Sequence, residues 1–157
     1  MSNFESTKNP SDKTNNLLLE WILSIIAAIN CILVVAIFAY INNPNLISDF
    51  SSQWPFPMIY FFEIIAIGII GIVAMGNLQQ PVKSNWSTVF WVSSGILLSF
   101  VILGAWTIGF YLLPTMVIYL VLGIISDRRI GNEIPRNLIF FVSGGIAQAI
   151  FVLVTLF

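Results

Sequence analysis

A run of 43 residues without any Asp, Glu, Lys, Arg or His, 84–126, constrains this chain more than any other feature. An α-helix rises about 1.5 Å per residue, so about 20 apolar residues cross the hydrocarbon core of a bilayer. The run is too long for one crossing and has about the length of two. Gly109 permits a tight turn near its middle, and Trp106 and Tyr111 are aromatic residues suited to a headgroup boundary. The run therefore predicts a hairpin of two transmembrane helices.

The composition of the whole chain also points to a membrane. Hydrophobic residues make up 58% of the 157 residues and charged residues only 8%, against about 25% in ordinary soluble domains. A soluble domain could not cover its surface with so little charge, so lipid is the expected solvent. The net charge of −1 and the lack of a basic cluster indicate no nucleic-acid partner.

Catalytic and metal-binding patterns are missing from the sequence. It has no histidine, a single cysteine, Cys31, and neither an HExxH motif nor a P-loop. We therefore expect no enzyme activity, no metal and no cofactor. A lipid-modifying enzyme is the least favoured function for the same reason.

The remaining segments flank the hairpin. Residues 1–16 are polar without apolar periodicity and predict a disordered cytoplasmic tail. Residues 17–157 predict a single all-α, polytopic domain, a bundle of five transmembrane helices, with four as the alternative. The expected spans are about 17–41, 58–78, 86–107, 109–126 and 138–157. Pro114 is expected in the first turns of the fourth helix, and Pro135 is expected to end any helix before the fifth.

Basic residues predict the orientation. If the amino terminus is cytoplasmic and the chain crosses five times, all six lie on the cytoplasmic side: Lys8, Lys13, Lys83, Arg128, Arg129 and Arg136. Four crossings would place the three arginines opposite Lys83. The positive-inside rule therefore favours five crossings, with the carboxyl terminus outside. We expect a multi-pass protein of the cell (inner) membrane, with Lys83, Arg128, Arg129 and Arg136 as topology anchors.

Three polar residues fall inside the predicted spans. Glu63 lies about 7–8 Å below the outer boundary, and because ionisable residues at such depth are costly, a proton or cation site is one hypothesis. The favoured interpretation is structural: Glu63 points at lipid or toward the outer surface, or is protonated and bonded to Thr115 or Tyr111. Asn30 and Gln148, about 16 and 13 Å deep, are expected to hydrogen-bond to each other. A polar ligand pocket between the first and fifth helices is the alternative.

Small residues recur on the predicted helices at spacings that let helix backbones approach. The sets are Ala66, Gly71 and Ala74; Gly95 and Ser99; Ala105 and Gly109; Ser143 and Ala147; and Gly145 and Ala149. They predict a compact bundle, and they are also candidate contacts with other membrane proteins or with a second copy. The sequence thus favours a non-enzymatic accessory or assembly component of a membrane complex. The alternative is a small transporter or channel-like protein that uses Glu63 and the mid-membrane amides.

Overall fold

A computed structural model of the protein describes residues 10–42, 56–78, 86–104, 108–130 and 134–156. In these ranges the chain forms α-helices and no strand, which confirms the all-α prediction. The helices are α1 (Pro10–Asn42), α2 (Phe56–Leu78), α3 (Ser87–Leu103), α4 (Gly109–Ile130) and α5 (Ile134–Leu156). Four of them contain stretches long and apolar enough to cross a membrane, namely Leu17–Ile41, Ile59–Leu78, Gly109–Arg129 and Ile134–Val154. The remaining one, α3, is a shorter apolar helix of 17 residues.

Three helices, α1, α2 and α5, begin earlier than the apolar runs predict, each with a proline as its first or second residue. α1 begins at Pro10, so part of the segment expected to be disordered is helical; residues 1–9 lie outside the described ranges. The expectation that Pro135 ends a helix is wrong, because Pro135 is the second residue of α5. Proline is tolerated there, since the N–H groups of a first turn have no acceptor within the helix.

The charged segment after the hairpin belongs to α4 rather than to a loop. α4 continues past Ser126 and carries Arg128 and Arg129 in its last turn. Cationic side chains are stabilising at that position because the carboxyl end of a helix has a partial negative charge. Pro114 is the sixth residue of α4, inside the helix.

Contacts near one end of the bundle show how the helices run. Glu20, near the start of α1, forms an ion pair with Arg129 at the end of α4. Trp91, in the second turn of α3, donates a hydrogen bond to Asp127, also near the end of α4. α1 and α3 therefore begin at the end of the bundle where α4 finishes, and α3 runs antiparallel to α4, as the hairpin prediction requires.

Backbone hydrogen bonds connect the end of α3 to the start of α4. The N–H of Gly104 donates to the carbonyl of Phe100, and the N–H of Gly109 donates to the carbonyl of Gly104, both at 2.8 Å. A side chain at either position would collide with these backbone atoms, which explains why both positions are glycine.

α3 is the central helix. It packs closely on α4 and α5 and less on α2, whereas α1 packs on α2 and α4. The tightest approach is between α3 and α5, where a Cβ at Gly95 would collide with the backbone carbonyl of Phe141. Ser99 donates a 2.6 Å hydrogen bond to the carbonyl of Gly145 in the same interface. Two of the predicted small-residue sets therefore do bring helices together, whereas Ser143 and other small side chains are exposed.

Candidate functional site: a groove between α2, α3 and α5

Glu63 of α2 and Gln148 of α5 reach each other across the outside of α3. The side-chain amide nitrogen Nε2 of Gln148 donates a hydrogen bond of 2.9 Å to Oε2 of Glu63. Gln148 is buried, and Glu63 is partly buried. The expectation that Glu63 points at lipid or toward the outer surface is therefore wrong. In hydrocarbon a carboxyl group has no water to bond, so a polar partner on a neighbouring helix is favoured over lipid.

A groove of about 400 Å³ lies beside this pair and opens to the surroundings of the bundle. Its walls come from α2, α3 and α5, and apart from the Glu63–Gln148 pair they are apolar. The apolar residues are Ile59, Val92, Ile96, Gly144, Ala147 and Phe151. The groove thus combines one carboxyl group and one amide with a hydrocarbon lining.

Asn30 does not belong to this site. Its amide nitrogen donates to the hydroxyl of Thr115 at 2.8 Å and to the backbone carbonyl of Tyr111 at 3.1 Å, both on α4. The expected bond between Asn30 and Gln148 is therefore wrong, as is the expected bond from Glu63 to Thr115 or Tyr111. The reason is that α1 packs on α4, while α5 packs on the far side of α3. The alternative to the bond between Asn30 and Gln148, a polar ligand pocket between the first and fifth helices, is not seen either, since the described groove is lined by the second, third and fifth helices.

The groove has no basic side chain beside it among the described residues. Arg128 and Arg129 are in the last turn of α4, at the end of the bundle where α5 begins. Arg136 precedes Gln148 by 12 residues on α5, about 18 Å along the helix. Lys83 lies outside the described ranges. An ionised Glu63 would therefore have a neutral amide as its partner and no described countercharge.

A second polar cluster, not identified from the sequence, lies at the end of the bundle where α4 finishes. The carboxylate of Asp127 accepts hydrogen bonds from Nε1 of Trp91 at 3.0 Å and from Nδ2 of Asn137 at 2.8 and 2.9 Å. Thr88 in turn donates to Oδ1 of Asn137 at 3.1 Å. The cluster ties α3, α4 and α5 together. The sequence pattern missed this cluster because it placed Asp127 in a connecting loop. If the fourth helix is continued past Ser126, Asp127 falls on the side of the helix that packs on its neighbours.

The ion pair between Glu20 and Arg129 lies at the same end. Nη1 of Arg129 is 3.0 Å from Oε2 of Glu20, and the Glu20 side chain is only 1% exposed. Neither carboxylate oxygen has a hydrogen bond of regular geometry, so the pair depends on charge attraction. Arg129, expected only as a topology anchor, thus also joins α4 to α1.

These features define a class of protein: a membrane-embedded, all-helical bundle with a polar cluster at one end and a ligand-sized groove at its side. Comparisons with protein-family models, with curated proteins and with solved structures found no match.

Proposed function

We propose that this protein is a non-enzymatic, multi-pass protein of the cell (inner) membrane that works as a small transporter, with its binding site in the groove beside Glu63. The observation that carries the proposal is the position of Glu63, turned to Gln148 at the edge of a groove of about 400 Å³. That volume falls within the range of about 300–1,000 Å³ found for small-molecule sites. Ionisable residues inside membrane spans often mark substrate or ion pathways.

The packing of the helices supports alternating access to the groove from the two sides of the membrane. α2 packs mainly on α1, and α5 packs mainly on α3, so the groove lies between two groups of helices. The Glu63–Gln148 hydrogen bond joins these groups across the groove. A small rotation of the α1–α2 pair against α3 and α5 would break that bond and change which side of the membrane reaches the groove. Rocking of one helix group against another around a fixed site is the usual basis of alternating access.

The proposal requires that water reach the groove, which can be tested without knowing the substrate. In a background with Cys31 replaced by Ala, we would place a cysteine at Ala147, which lines the groove. We expect a charged, membrane-impermeant thiol reagent to label Ala147→Cys in proteoliposomes. The matched control is Ile146→Cys, because Ile146 is the adjacent residue of α5, is 56% exposed and does not line the groove. It should stay unlabelled. Protection of both cysteines would contradict a transport role.

The second candidate function is an accessory or assembly component of a membrane complex. It is favoured by the attachment of α5, which depends mainly on α3 and leaves large apolar side chains such as Ile139, Ile146 and Val154 exposed. A helix from another membrane protein, or from a second copy, would suit that face. Under this alternative Glu63 has only a structural role, and Glu63→Gln would leave assembly unchanged.

A further inference from the structure

We infer that the groove beside Glu63 binds a lipophilic monovalent cation, that is, an ammonium or phosphonium group carrying apolar substituents. This inference deepens the proposed transport function and rests on it for the site, because it names the class of ligand.

The charge of the groove favours a cation as the ligand. An ionised carboxylate in apolar surroundings is stable only when it is paired. Gln148 supplies a single neutral hydrogen bond. The described arginines lie in the last turn of α4 and the first turn of α5, where Arg136 is about 18 Å from Gln148 along the helix. A ligand that carries one positive charge would complete the pair. Divalent metal ions suit the site poorly, because Mg²⁺ and Ca²⁺ take six or more oxygen ligands and the described side chains of the groove offer one carboxyl group and one amide.

The lining gives the second argument. Because lipid chains are as apolar as the groove, apolar contact alone contributes little free energy to the transfer of a ligand from the bilayer to the groove. A charge buried in hydrocarbon is costly, so a lipophilic cation is stabilised most strongly where it can pair with a carboxylate. Phe151 borders the groove one helical turn from Gln148 and offers an aromatic ring to the same cation. The apolar substituents would contact Val92 and Ile96 on α3.

The test uses two probe ions of the same shape and opposite charge, tetraphenylphosphonium and tetraphenylborate. Equilibrium dialysis against the full chain in lipid nanodiscs would measure the binding of each. We expect saturable binding of tetraphenylphosphonium only, and an affinity at least tenfold lower in Glu63→Gln. Equal binding of the two ions, or equal affinity of the wild type and Glu63→Gln, would overturn the inference.

A second pair of variants keeps the test decisive if Glu63→Gln does not fold. Ala147→Leu fills the groove without changing its charge, and Ala36→Leu adds the same side chain at an exposed position of α1. We expect at least a tenfold loss of tetraphenylphosphonium affinity in Ala147→Leu and no change in Ala36→Leu. Equal losses in both variants would place the cation elsewhere and refute the site.

The outcome also separates this inference from the proposed function. If Ala147→Cys is labelled from water but tetraphenylphosphonium does not bind, the transport proposal stands and the ligand class is wrong. If the cation binds but Ala147→Cys is never labelled, the ligand class stands and the transport proposal fails, because the site then opens only to lipid.

Discussion

The three carboxyl groups packed within the described bundle differ in the number and charge of their partners. Asp127 accepts bonds from Trp91 and Asn137 on two other helices, so its charge is spread over fixed donors. Glu20 faces the guanidinium of Arg129. Glu63 has one neutral partner and borders an open groove. Glu63 is therefore the carboxyl group best placed to bind a ligand, whereas Asp127 and Glu20 hold helices together.

Asn30 should be coupled energetically to Thr115 and not to Gln148. Interhelical hydrogen bonds in membrane proteins contribute about 0.6–2 kcal/mol, and Asn30 shares one with the Thr115 side chain. We expect a double-mutant cycle of Asn30→Leu and Thr115→Val, measured as the free energy of unfolding in mixed micelles, to give a coupling in that range. The matched cycle of Asn30→Leu and Gln148→Leu should be additive. Coupling confined to the second cycle would contradict the observed arrangement.

The three polar residues predicted inside the spans show which contacts depth in the membrane predicts and which it does not. Counting helix rise places Glu63, Asn30 and Gln148 well inside the predicted spans, and all three lie in helices long and apolar enough to cross a membrane. Depth is only one coordinate, however. Which helices are neighbours depends on the packing of α3 between α4 and α5, which no single residue of the sequence encodes. The polar residues were therefore identified, but each was assigned the wrong partner.

At the scale of the helices, the interface between α3 and α5 depends on the lack of side chains. The carbonyl of Phe141 occupies the place that a Cβ at Gly95 would take, and the carbonyl of Val92 lies 2.9 Å from a Cβ at Gly144. Close backbone approach of this kind drives helix association in lipid, where the hydrophobic effect is absent. Because α5 has little other contact with the bundle, this interface also determines whether the groove exists.

Adding one methyl group should separate these helices. We expect Gly95→Ala to lower the free energy of unfolding by about 1–3 kcal/mol, since overpacking a close contact forces the backbone to shift. The matched control is Gly76→Ala in α2, where an added Cβ meets no atom within 4 Å. It should be neutral or stabilising by up to about 1 kcal/mol, because alanine favours a helix. Equal effects of the two substitutions in a detergent unfolding assay would count against the close packing of α3 on α5.

Helix number was easier to predict than helix ends, for a physical reason. The bilayer sets the length of an apolar crossing, so the apolar runs, with the 43-residue run counted as two, predict the helices of the described chain. Helix ends depend on capping and on partners in the folded bundle. α4 continues through Asp127, where Trp91 and Asn137 donate hydrogen bonds to the carboxylate. Pro135 lies in the first turn of α5, where a proline is tolerated. The partners of Asp127 lie on other helices, so local patterns misplaced the end of α4, whereas the start of α5 was misplaced because a first-turn proline was interpreted as a helix end.

At the scale of the whole molecule, the contacts between helices fix their relative directions and leave open only which end faces the cytoplasm. α1, α3 and α5 begin at the end where α4 finishes. Arg128, Arg129 and Arg136 gather at that same end. By the positive-inside rule we predict that this end faces the cytoplasm, with the amino terminus inside and the carboxyl terminus outside.

Fusions to alkaline phosphatase, which is active only outside the cytoplasm, test this orientation. We expect a fusion after Phe157 to be active and one after Gly131 to be inactive, because the fifth helix carries the chain across the membrane between these positions. A fusion after Asn42, where α1 ends, should also be active, because the chain has then crossed the membrane once. Immunoblots would show that all three fusions are made in equal amounts. The opposite orientation would reverse all three activities. If α5 did not cross, the fusions after Gly131 and Phe157 would behave alike, and the groove, which needs Gln148 at the depth of Glu63, would be lost with it.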